Sequence, residues 1–263
     1  SLFLVILLFF ETPVYNTALS LLAILAVFEF LQAAKCLQHR LLSVVCMLFG
    51  AAVPFIRMSM LRPYSILFVL LFILILFGML LYQYQTIRIE KIAQAYFFSM
   101  IFPFALTSLI YIRDEFGALQ GLYYTLLIFA CAWGADAGAF FIGKFCGKHK
   151  LAPEISPHKT VEGFWGGFLG SGLLMAGVSA AYVMFGRSQG LDMAVNMPAL
   201  LAAWVIGTLL SVFGDLSASV IKRQCEIKDF GSIMPGHGGV VDRFDSIFFV
   251  APFFYALLQF FSI

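Results

Sequence analysis

The chain has 263 residues, of which 62% are hydrophobic, 31 are Phe and only 11% are charged, with a formal net charge of +2. A soluble domain carries about 25% charged residues, so this composition excludes one and describes an integral membrane protein. The small net charge says little by itself, because the charges are segregated along the chain, and no nucleic-acid partner is expected.

Apolar runs of about 20 residues, enough for a helix to cross ~30 Å of hydrocarbon, are predicted at 17–34, 41–57, 64–84, 93–112, 118–143, 161–186, 196–221 and 244–262. An apolar stretch at 1–10 precedes them. It is too short to cross unaided and the chain opens on Ser1, so it reads as the remainder of a clipped first span. The expected fold is an all-α polytopic membrane protein of about nine transmembrane helices with a polar cleft facing the cytoplasm. No segment alternates with the period of two that a barrel needs.

Lys35, Arg40, Arg88, Lys91, Lys144, Lys148, Lys150, Lys159, Lys222, Arg223, Lys228 and Arg243 fall in every second loop. The intervening loops hold Arg57, Arg62, Arg113 and Arg187. Twelve against four is a positive-inside bias, which makes the former loops cytoplasmic, with the N-terminus inside and the C-terminus outside. The cysteines, Cys36, Cys46, Cys131, Cys146 and Cys225, stand singly, which argues against a disulfide framework or a zinc site.

Residues 1–115 read as packing and lipid-facing helices, whereas residues 116–263 hold nearly all the chemistry, much of it in two long loops at 144–160 and 222–243. Long polar loops in a compact bundle are more often functional than idle. This lopsidedness weighs against an inverted-repeat transporter, whose halves carry paired broken helices.

Taken in chain order, the second half begins with WGADAGAFFIGK, where Asp136 is an intramembrane acid and hence a site candidate. Gly138 to Lys144 satisfies GxxxxGK, but Phe145 stands where a P-loop needs Ser or Thr and no strand precedes it, so the match is a decoy. Next comes Ser156-Pro157-His158-Lys159-Thr160-Val161-Glu162-Gly163. Ser156 and Lys159 could contact phosphate there, or the segment could be an interfacial helix start with a snorkelling lysine. Gly163, Gly166, Gly167 and Gly170 give overlapping small-xxx-small spacings that admit a second helix closely, from the same chain or a second protomer. His149 and His158 read as solvated.

Asp215, Ser219 and Lys222 are at i, i+4 and i+7, so one helix face presents an acid, a hydroxyl and a base along about 10 Å. An Asp inside a spanning helix costs about 2.5–3.5 kcal/mol on insertion scales and usually marks a polar cavity. The alternative is an Asp215–Lys222 structural pair. Asp242 and Asp245 follow PGHGG at the mouth of the last span, where glycines and a helix start favour a phosphate but two carboxylates repel one. A divalent cation resolves the conflict: Asp oxygens hold Mg²⁺, the metal holds phosphates, and Lys222, Arg223 and Lys228 neutralise the rest. A plain helix cap explains one acid but not Asp215, Asp229, Asp242 and Asp245 together. His237 reads as a hydrogen-bonding member of the phosphate loop.

Ser219-Val-Ile-Lys222-Arg223, then Lys228-Asp229-Phe-Gly231, then Pro235-Gly-His237-Gly238-Gly239-Val-Val-Asp242-Arg243-Phe-Asp245 resembles the signature of the phosphatidate cytidylyltransferase (CDP-diacylglycerol synthase) family. The 156–163 and 136–144 stretches look like the family's other landmarks, and Glu29 falls where the family also tends to carry an acid. Met234 replaces another aliphatic residue, and the basic residues that open the family's first helix are missing. The resemblance implies a nucleotidyltransferase of the cell inner membrane, catalysing CTP + phosphatidate → CDP-diacylglycerol + pyrophosphate with Mg²⁺. It leaves open whether K⁺ joins the Mg²⁺, and it suggests a homodimer. By carry-over, Asp215 and Asp242 are the principal metal ligands. Lys222, Arg223 and Lys159 act on the reacting phosphates, with Lys228 also binding phosphate. Asp136, Lys144, Ser156, Asp229, His237, Gly238, Gly239, Arg243 and Asp245 complete the pocket. The rivals are a CTP-dependent lipid kinase of the polyprenol or phytol type, which attacks the γ-phosphate, and a cation-coupled transporter using Asp136 and Asp215.

Overall fold

A computed structural model describes residues 10–56, 61–191, 193–231 and 238–263. Its helices are α1 (Pro13–Ala33), α2 (Arg40–Ala52), α3 (Ser65–Tyr82), α4 (Ile89–Cys146), α5 (Val161–Ser188), α6 (Met197–Gln224), α7 (Val241–Phe244) and α8 (Ile247–Leu258). Five of them, α1, α3, α4, α5 and α6, are long and apolar enough to cross a membrane. The stretches Arg40–Phe55 and Ile247–Leu258 are shorter apolar helices, and the 1–10 stretch lies almost wholly outside the described residues. The membrane-helical class expected from composition is therefore seen, and among the described residues five helices, against about nine spans expected, are long and apolar enough to cross.

Part of that difference lies in α4, which joins the runs expected at 93–112 and 118–143 into 58 continuous residues. A single span needs only about 20. The run is interrupted at Gly117, whose φ of 74° and ψ of −173° lie in a region essentially reserved for glycine.

The chain divides into two compact units, one of residues 1–111 with 224–243 and the other of 112–223 with 244–263. In the first, Val27, Leu31, Leu42, Cys46, Phe49, Phe72 and Leu76 form a buried core, with Phe49 stacked on Phe72 at 3.8 Å between centroids. Ser20 Oγ donates to the Ala51 carbonyl (2.7 Å), tying α1 to α2. Helix α1 ends in a reversal at Lys35 (φ 55°), where Cys36 N–H reaches the Leu31 carbonyl at 2.8 Å and Lys35 N–H the Gln32 carbonyl at 3.0 Å. This is the Schellman pattern that satisfies orphaned end carbonyls. Lys91 Nζ donates to the Ala34 carbonyl beside it.

In the second unit, α4 beyond Gly117 packs backbone to backbone on α5. A Cβ added at Gly166 would stand 2.6 Å from the Gly138 carbonyl oxygen, and one at Gly163 2.9 Å from that of Ala139. The small-residue stripe of α5 thus seats a helix of the same chain. Within the interface with α6, Ser171 Oγ and Thr208 Oγ1 are 2.8 Å apart, and Trp204 Nε1 donates to the Phe168 carbonyl at 3.0 Å.

Candidate functional site

The loop expected at 144–160 is a hairpin. Strands β1 (Lys150–Ala152) and β2 (Ser156–Thr160) pair antiparallel, with Lys150 opposite Thr160 and Ala152 opposite Ser156. Strand β2 runs straight into α5, where Thr160 is the N-cap and its Oγ1 accepts from Gly163 N–H at 3.0 Å. Glu162 closes the base of the hairpin, accepting from the backbone N–H of Lys148 (3.0 Å) and His149 (3.2 Å) and pairing with His149 Nδ1 at 2.7 Å. His149 is solvated, as expected, but it is also held by this carboxylate. Arg223 Nε donates to the Ile155 carbonyl (3.2 Å), fixing the tip of the hairpin to the end of α6.

These anchors bring Lys159 to Asp215. Its Nζ lies 2.7 Å from Asp215 Oδ2, with both side chains half-buried. The ion pair of Asp215 is therefore with a residue 56 positions away in sequence. Asp136, Lys159, Asp215, Thr160, Gly163 and Phe164 are among the residues lining one cavity of about 240 Å³. One further acid, Asp245, is linked to Asp136 through Ser246. Ser246 Oγ sits 3.5 Å from Asp136 Oδ1 and 3.5 Å from Asp245 Oδ1, and Ser246 N–H donates to Asp245 Oδ1 at 2.7 Å. Asp245 is buried. Gly214 permits the close approach, since a Cβ there would stand 2.6 Å from the Asp245 carbonyl oxygen.

Reading from sequence named Asp136, Lys159, Asp215 and Asp245, all of this neighbourhood, but missed Ser246 and Gly214. A hydroxyl directly following an acid and a glycine directly preceding one were the available signals, and neither is specific. Lys144 is exposed, Ser156 is half-buried on β2, and Lys222 is half-buried and Ser219 buried on α6.

In the other unit Asp242 is already engaged. Its Oδ2 accepts from Phe230 N–H at 2.9 Å and Gly239 N–H at 3.1 Å, while Gly238 adopts a φ of 80°. Lys228, Asp229 and Arg243 are exposed, and His237 lies outside the described residues. Glu29, in mid-α1, is fully buried and accepts from the backbone N–H of Val240 and Val241, each at 2.9 Å.

For a hard divalent cation the donor chemistry of the cavity fits, because carboxylate oxygens and a hydroxyl are what such ions take. Among the described residues no three acidic, histidine or cysteine side chains already converge on one point, and Asp215 is paired with the ammonium group of Lys159.

Fold and site together define a polytopic helical membrane protein with a largely apolar cavity whose wall carries Asp136, Lys159 and Asp215 beside a basic hairpin. The chain matches the cytidylyltransferase family over residues 1–261 and belongs to it. It is similar to the phosphatidate cytidylyltransferase of Bacillus subtilis, at 45% identity over 144 residues, covering 52% of this chain and 49% of that protein. It is likewise similar to those of Staphylococcus epidermidis, at 43% over 139 residues with 53% and 50% covered, and Staphylococcus aureus, at 44% over 139 residues with the same coverage. The matched part spans about half the length of these relatives.

Proposed function

We propose that this chain transfers the cytidylyl group of CTP to phosphatidate, giving CDP-diacylglycerol and pyrophosphate. The observation that carries the reading is the Lys159–Asp215 pair, which joins two motif segments at one cavity with Asp136 in its wall. The names of the relatives support the choice of substrates.

The chemistry asks for alignment and charge neutralisation more than for a general base. A phosphate monoester is a nucleophile at neutral pH: its oxygen attacks the α-phosphorus of CTP, the new P–O bond forms, and the bond to pyrophosphate breaks. Lys159, released from Asp215 as anions enter, neutralises phosphate, and Lys222 at the end of α6 adds a second cation. Asp215 and Asp242 are the proposed Mg²⁺ ligands. When bound, Mg²⁺ would neutralise the crowded phosphates and act as a Lewis acid. Asp136, Asp245 and Ser246 would orient the polar groups around it.

In the proposed topology the hairpin and the 222–243 loop face the cytoplasm, where CTP is found, and the lipid substrate arrives from the bilayer. The test is turnover of radiolabelled CTP by the purified protein with phosphatidate in mixed micelles, with and without EDTA. Labelled CDP-diacylglycerol together with released pyrophosphate is expected, and EDTA should abolish both. Release of CDP with a phosphorylated lipid would establish the lipid-kinase reading instead, and no turnover would refute both.

A further inference from the structure

A carboxylate in mid-helix, fully buried and far from the cavity motifs in sequence, needs a reason for its charge-bearing group. Glu29 spends it on the segment that leads into Asp242. One oxygen accepts the Val240 N–H and the other the Val241 N–H, at 2.9 Å each. The carboxylate is also wedged between two glycines. A Cβ at Gly231 would stand 2.5 Å from Glu29 Oε1, and a Cβ at Gly239 2.5 Å from Oε2. Asp242 Oδ2 in turn accepts from Phe230 and Gly239, and Phe30, the next residue of α1, packs on Phe230 with centroids 4.4 Å apart. Glu29 and Asp242 are thus two carboxylates interlocked through the same short backbone segments, one anchored in a helix and the other at the start of α7.

We propose that Glu29 is a positioning residue that sets the place and direction of the Asp242 carboxylate for the reaction. Val240 and Val241 immediately precede Asp242, so fixing their N–H groups fixes the backbone from which its side chain projects. A carboxylate suits the task because it presents two acceptors to two donors. An amide presents one acceptor and sets an NH₂ against the second N–H. The two glycines are what allow the backbone to come within reach, which explains their place in the segment independently of any contact with phosphate. The inference rests on the proposed function, since it assigns Asp242 a part in that chemistry.

The experiment compares the wild type with Glu29→Gln and, from the opposite side of the contact, Gly231→Ala in the full chain. Two readouts are taken: amide hydrogen exchange of a peptide covering 238–246, and steady-state kinetics with CTP and phosphatidate. In each variant the peptide should exchange about ten-fold faster while α1 stays protected, reporting local opening. Turnover should fall about ten-fold or more in kcat with KM for CTP within about three-fold, the signature of a misplaced reacting group and not of lost binding. Unchanged exchange in both variants overturns the clasp. Faster exchange with wild-type kcat overturns the positioning role, leaving a structural contact. A wild type that is inactive on CTP while its clasp opens on mutation refutes the proposed function and upholds the clasp.

Discussion

Lys159 is the residue on which the cavity turns, because its ammonium group sits 2.7 Å from Asp215. Both side chains are half-buried and the Lys159 nitrogen itself is buried, so the test of its role is the rate, measured on variants whose melting is recorded alongside. Lys159→Ala removes a charge-assisted contact to phosphate worth roughly 1.5–3 kcal/mol, and kcat/KM should fall about ten-fold or more. Lys159→Glu should be worse, since it faces Asp215 and the anionic substrates with a like charge. Arg88→Glu is the control, being exposed. Lys91 would not serve, because it holds the Ala34 carbonyl at the end of α1. Equal mildness of Lys159→Glu and Arg88→Glu would reduce the 156–163 segment to a helix start. For Asp242, the Asn variant retains an oxygen for the Phe230 and Gly239 N–H groups but loses the charge. It should insert and melt as wild type while turnover drops below a tenth, a barrier increase above about 1.4 kcal/mol. Turnover above that level would remove Asp242 from the metal.

Among the elements, the contact of α4 with α5 sets the distance between Asp136 and the hairpin, and it depends on missing side chains. Gly166→Ala places a methyl group 2.6 Å from the Gly138 carbonyl oxygen, and overpacking of this kind costs about 1–3 kcal/mol. Gly177, on the same helix, has nothing within 4 Å of its would-be Cβ. Ala there should be neutral or stabilising by up to about 1 kcal/mol, the helix-propensity difference. Thermal melting in one detergent should therefore separate the two variants in sign. Equal shifts would mean that α4 and α5 do not meet as described. The hairpin is the element that sequence reading left as a loop. Its strands are three and five residues long, too short to show an alternating pattern, and Pro157 within β2 disguises it further.

At the scale of the whole molecule, the prediction concerns sidedness. Helix α5 has 28 residues, and at 1.5 Å per residue it is about 42 Å long, longer than the ~30 Å hydrocarbon layer. Its ends, near Lys148 and at Arg187, should lie on opposite sides of the membrane. Single cysteines at these exposed positions, in a background without the native ones, should react with an impermeant maleimide from opposite faces, Lys148→Cys from the cytoplasm. The native thiols must go because Cys146 is exposed, although burial raises the Cys36 thiol and slows it. Labelling from one side would overturn the orientation. Sequence alone determined the membrane-helical class, because hydrophobic content and run length are local quantities that need no partner. It also determined the acids and bases worth watching, since a charge in an apolar run is costly wherever the run packs. Tertiary structure alone decided which of those charges meet. Asp215 finds Lys159, 56 positions away, Ser246 enters between Asp136 and Asp245, and Glu29 reaches residues more than 200 positions away. Such pairings depend on glycine-lined helix contacts and on chain reversals, and these bring together atoms whose spacing along the sequence carries no trace of their distance in space.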